Sequence, residues 1–180
     1  MSRYVALWRG INVGTAKRIA MADLRMLLGT LGYTQVETLL NSGNAIFTGN
    51  NEPSSQHARR IRQAVARELG VDAGVIVKTV SDIATSLAAC QWIDEVTDHS
   101  QLLVVFTDDA QFLTALKPLR QQAQAPERLE ICHHAAYLWC ANGIRDSKLA
   151  TALMKQLGDR GTTRNWTTVQ KMRALLETPC

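Results

Sequence analysis

The sequence lacks any apolar run approaching the roughly 20 residues that a membrane-spanning helix needs, and no secretory leader is expected ahead of its first strand-like segment. Both absences point to a cytoplasmic protein with no membrane partner. Its four cysteines, Cys90, Cys132, Cys140 and Cys180, include no C-x-x-C pair and no histidine at zinc-finger distance. Unpaired thiols in a reducing compartment are therefore expected, not a disulfide framework. Excess charge of one sign is also small. A net charge of +4 permits an anionic partner but falls short of the dense basic patch usual in nucleic-acid binders. No Pro/Gly/Ser-rich linker divides the 180 residues, so two small units, if present, should pack firmly.

What is present is an ordered succession of apolar segments. "YVALW", Tyr4 to Trp8, is apolar on both parities, as in a strand covered on both faces. "MADLRMLLGTLGY" carries Met21, Leu24, Leu27, Leu28 and Leu31 at helical spacing, with Asp23 near the positive end and Gly32 as the stop. "QVETLL" and "NAIFTG" are strand-like runs joined at "NSGN", a hairpin signal. "SSQHARRIRQAVARELG" predicts a helix capped by Ser54 or Ser55 and stopped by Gly70, and "AGVIVKT" a further strand.

The order β-α-β-β-α-β in the first ~80 residues is the ferredoxin-like arrangement. After a helix capped by Ser81, most of that order recurs. "QLLVVFT" predicts a strand, "DDAQFLTALKPL" a helix, "RLEICH" with "AYLWCA" a hairpin and "SKLATALMKQLG" a helix. The expected ending differs: a loop, "DRGTTRNW", and a last helix, "TTVQKMRALL", stand where a fourth strand would be. The expected fold is thus α+β, with two tandem ferredoxin-like units of mainly antiparallel sheet, the second ending in an extra C-terminal helix. The expected domains are residues 1–80, a helical connector over 81–99, and residues 100–180.

In a βαββαβ unit the loop after the first strand and the turn after the second lie at the same end of the sheet. "RGINVG" should therefore neighbour "NSGN", grouping Arg9, Asn12, Ser42 and Asn44. Gly10, Gly14 and Gly43 would let backbone approach closely. Guanidinium, amide, hydroxyl and backbone N–H donors suit an oxyanion such as phosphate, carboxylate or sulfate. "TTRNW", with Thr163, Arg164, Asn165 and Trp166, immediately precedes the last helix, whose N-terminus can also bind an anion.

These blocks, with "YVALWRGINVG", "MADLRMLLGTLGY", "LNSGNAIF", "SKLATALMKQLG" and "TTRNWTTVQKM", resemble the bacterial family known as domain of unknown function 1697, from about Tyr4 to Leu176. The resemblance implies two ferredoxin-like halves and carries over no activity, cofactor or catalytic residue. It extends the candidate positions to Asn41, Ser147 and Lys148. Thr15 stands where the family often has glycine or another small residue.

Structural roles compete at every block. Gly10, Gly14 and Gly43 can be turn glycines, Thr163 or Asn165 a helix cap, Trp166 a wedge between halves, and Ser147 a cap beside a solvated Lys148. "RGINVG" is neither a dinucleotide fingerprint nor a Walker loop. The acidic "DEVTDHS" has no ligand pattern, and the adjacent His133 and His134 should point to opposite faces, so no metal is expected.

Three functions stay open: binding of a phosphorylated ligand or nucleic acid, metal-independent catalysis on a small anion, and a purely structural or interaction role. For catalysis Ser42 or Lys148 would be the reactive group. The three blocks hold no His, Cys, Asp or Glu to act as its general base.

Overall fold

In the computed structural model, residues 1–41 and 43–178 are described. The Cα positions group into two units, Met1–Val80 with Ala174–Cys180, and Ser81–Arg173. Each contains one four-stranded antiparallel sheet.

The first unit runs β1 (Ser2–Trp8), α1 (Met21–Thr30), β2 (Thr34–Thr38), β3 (Asn44–Gly49), α2 (Ser54–Leu69) and β4 (Val75–Thr79), with sheet order β2-β3-β1-β4. β1 pairs with β3 in the register Tyr4↔Phe47 and Leu7↔Asn44, so the third strand lies beside the first. Tyr4, Ala6 and Trp8 share a core with Leu24 and Leu28 of α1 and Ile61 of α2. Val5 and Leu7, of opposite parity, are also fully buried, which is why this strand carries no polar alternation. α2 ends at Gly70 in the left-handed conformation, as its position predicts. Its expected serine cap is absent. The N-cap residue is Pro53, with no side-chain hydrogen bond.

The second unit takes in α3 (Val80–Ala88) from Ser81 on, β5 (Leu102–Thr107), a 3-10 helix (Ala110–Gln122), β6 (Arg128–Ile131), β7 (Ala136–Trp139), α4 (Lys148–Leu157), β8 (Gly161–Asn165) and α5 (Trp166–Glu177) as far as Arg173. Its sheet order is β6-β7-β5-β8. Leu103, Val105 and Leu138 pack with Leu153 of α4. On the other face the buried Tyr137 hydroxyl donates to the Ser86 carbonyl of α3.

Two sequence expectations are corrected by these elements. "DRGTTRNW" is no loop, because Gly161–Asn165 forms β8, paired with β5 in the register Phe106↔Thr162 and Val104↔Arg164. The strand escapes hydropathy patterning because its buried positions are polar, Thr162 and Arg164. The helix expected in "DDAQFLTALKPL" is 3-10 from Ala110 to Gln122. Pro118 within it has no N–H for an α-helical bond to residue i−4, and its ring crowds that carbonyl. Leu113, Leu116 and Leu119, all buried, recur every three residues, the period of a 3-10 helix.

The first unit also encloses a histidine. His57 is fully buried among the rings of Tyr4, Tyr33 and Phe47. Its Nε2 lies 3.1 Å from the Asn50 carbonyl, which can only accept, so Nε2 carries the hydrogen and Nδ1 accepts from the Tyr33 hydroxyl at 2.9 Å. Burial lowers the imidazole pKa below its ordinary 6.5. A depressed histidine pKa means that the unfolded chain takes the proton first. Its contribution to stability is complete above 6.5 and is lost as pH falls through the lower folded value. Denaturant unfolding should therefore show stability declining as pH drops below 6.5, and His57→Gln should flatten that decline.

Candidate functional site

The end of β1 meets the start of β3 as the topology requires. The Trp8 N–H donates to the Gly43 carbonyl at 2.9 Å, which places "RGINVG" against the "NSGN" turn. Ser42 lies outside the described residues. Arg9 is half-buried, and its backbone N–H donates to the Gly74 carbonyl at 2.9 Å.

The Asn12 side chain joins three parts of the chain. Its Nδ2 donates to the carbonyls of Ile19 and Asn41, both at 2.8 Å, while its Oδ1 accepts from the Ile19 N–H at 2.9 Å. Asn44 is fully buried and its Nδ2 donates to the Leu39 carbonyl at 2.7 Å. Both amides thus close loops on themselves. Gly10 and Gly14 adopt φ of 65° and 66° with open space where a Cβ would stand. Gly43, at φ 86°, has none: a Cβ would meet Ile11 Cδ1 at 2.6 Å and Trp8 Cβ at 2.9 Å.

Beside this knot lies a cleft of about 370 Å³ lined by Asn12, Arg18, Ile19, Ala20, Met21 and Asn41. It opens at the start of α1, where the N-cap residue is Ala20 and no side chain caps the helix. The N–H groups of the first turn carry the positive end of the helix dipole. Arg18 is exposed, and among the described residues it makes no hydrogen bond or ion pair. Asp23, the acidic residue of the first turn, does not line the cleft. Sequence reasoning missed Arg18 because the neighbouring glycines carry the stronger local pattern. The available signal was "AKRIAM", a basic pair entering a helix that lacks a capping Ser, Thr, Asp or Asn.

In the second unit the "TTRNW" block is strand and helix start. Asn165 Oδ1 accepts from the Thr168 N–H at 2.9 Å, capping α5. The Thr163 hydroxyl donates to Met154 Sδ at 3.5 Å, and Trp166 is buried with its ring steeply inclined to that of His99. Arg164 is buried on β8, with Nη1 donating to Thr162 Oγ1 at 2.9 Å and to the Thr163 carbonyl at 2.8 Å. Burial lowers its pKa to about 10, which leaves it charged at neutral pH. Ser147 caps α4 by accepting from the Ala150 N–H at 2.9 Å, and Lys148 is exposed.

Cys90, Cys132 and Cys140 are free thiols, and burial raises the pKa of each, that of Cys90 to about 11. None is poised as a thiolate nucleophile. Cys180 lies outside the described residues. Among the described residues no group of three or more His, Cys, Asp or Glu could hold a metal ion. No helix there is long and apolar enough to cross a membrane.

The two kinds of glycine should separate on substitution. Gly43→Ala combines a left-handed φ with a clash against Ile11 and Trp8, so a loss of about 2–4 kcal/mol is expected in denaturant unfolding. Gly14→Ala meets open space and should cost only about 1–2 kcal/mol for its dihedral.

A search of curated proteins returns no match. Among solved structures, the chain is similar to conserved bacterial protein SP0830 from Streptococcus pneumoniae, with a TM-score of 0.78 and 24% identity, covering 98% of this chain and 99% of that one. At that identity the likeness speaks to the fold. The family model described as protein of unknown function DUF1697 matches residues 1–137, including the "RGINVG" and "NSGN" blocks. The chain belongs to the DUF1697 family.

Proposed function

We propose that the chain consists of two ferredoxin-like units, divided near residue 80 with residues 81–99 as a helical connector. In this reading the protein works in the cytoplasm and its first unit binds a small phosphorylated or other anionic ligand. One observation carries the binding role: the uncapped start of α1 opens onto a cleft lined by the unpaired guanidinium of Arg18. The Asn12 amide, spent on the Ile19 and Asn41 backbone, shapes that cleft and leaves Arg18, Asn41 and the α1 N–H groups to meet the ligand. The ferredoxin-like assignment is supported by the β-α-β-β-α-β order and by a sheet whose central strands are the first and third of each unit. The unpaired thiols support a reducing compartment.

A second reading, that the sequence blocks serve only to hold the fold, is favoured by the same occupied amides and by the cap that Asn165 provides. A thermal-shift screen against inorganic phosphate, pyrophosphate, nucleotides, sugar phosphates and short RNA separates the two. A ligand at about 100 times its dissociation constant should add about 2.7 kcal/mol. Arg18→Ala should abolish that shift while leaving the ligand-free melting temperature unchanged. If no anion shifts the native protein, or if the variant responds fully, binding at this cleft is ruled out. A polynucleotide ligand would further show affinity falling steeply with added salt.

A further inference from the structure

A second cavity lies wholly within the other unit. It measures about 520 Å³, inside the range of about 300–1,000 Å³ typical of small-molecule sites, and it sits between the end of the 3-10 helix, the loop after β7 and the start of α4. Its lining includes three carboxamides, Gln122, Gln124 and Asn142, two carboxylates, Glu127 and Asp146, and the ammonium of Lys148. Among the described residues, Gln122, Gln124, Asn142, Asp146 and Lys148 form no side-chain hydrogen bond or ion pair. No ion pair joins Lys148 to Glu127 or Asp146, although all three line the same cavity.

At several other places on this chain, opposite charges close onto each other. Arg62 meets Asp72 at 2.6 Å, Arg60 meets Glu52 at 2.8 Å and Arg160 meets Asp108 at 3.3 Å. Around this cavity Lys148, Glu127 and Asp146 stand apart, and three carboxamides line the same space. Separated charges of both signs, together with neutral donors and acceptors, are complementary to a molecule that carries both charges itself. A simple anion would face two carboxylates, and a simple cation would face Lys148.

We infer that this cavity binds a small zwitterion of the amino-acid type. Lys148 holds the carboxylate, Asp146 and Glu127 hold the ammonium, and the amides of Gln122, Gln124 and Asn142 contact the remainder. This site is separate from the α1 cleft and does not depend on it.

The test is isothermal titration and thermal shift of the full chain with the common amino acids, using glycinamide and N-acetylglycine as probes lacking one charge. At least one free amino acid should bind and raise the melting temperature, and each blocked probe should bind about tenfold more weakly or worse. Lys148→Gln and Asp146→Asn should each weaken the amino acid by about tenfold or more, while Arg18→Ala should leave it unaffected. Absence of any shift at millimolar amino acid, or equal binding of the blocked probes, overturns the inference. The blocked probes act on the unaltered protein, so their result stands even if a variant folds poorly.

Discussion

The Asn12 carboxamide is the interaction on which the sheet end of the first unit depends. With one side chain it satisfies the carbonyls of Ile19 and Asn41 and the N–H of Ile19, three polar backbone groups in two separate loops. Each such bond contributes about 1 kcal/mol, and an orphaned buried partner costs more than a formed bond gains. The left-handed φ of 56° at Asn12 itself belongs to this geometry, since asparagine tolerates that region better than most residues. With the loop fixed there, Ile11 is driven inward against Gly43, and α1 begins where Asn12 releases Ile19. The cleft is what remains on the outer side of this closure.

The same constraint explains why the motif resembles a ligand loop. Glycines, amides and an arginine are the vocabulary of anion binding, but they are equally the vocabulary of loops that must fold back on themselves. Asn12 and Asn44 spend their hydrogen-bonding capacity inward, and Gly43 is needed for close packing. Arg18, an inconspicuous residue in the sequence, faces solvent at a helix start.

Much of the architecture is legible in residue patterns. The two-sided apolar run of β1, the helical spacing in α1, the glycine that stops α2 and the serine that caps α4 all lie where the sequence places them. The topology follows from their order, and with it the meeting of residues near 10 and 43. Illegible parts share one cause, a tertiary setting that local pattern does not encode. β8 hides because Thr162 and Arg164 are buried polar residues whose partners are found by folding. The cleft at α1 is marked in the sequence only by the basic pair and the non-capping Ala20 of "AKRIAM"; its walls at Asn12 and Asn41 come together only when the loop folds.

The 3-10 segment from Ala110 to Gln122 constrains how this part of the chain can vary. At three residues per turn its side chains stand in straight columns, so Leu113, Leu116 and Leu119 form a single ridge directed into the core. Adding or removing one residue would rotate everything beyond it by about 120° and point the ridge into water. A change of three residues restores the column and alters only the reach, by about 6 Å. Length variation in this segment is thus quantised in threes, whereas an α-helix, at about 100° per residue, has no such short exact repeat.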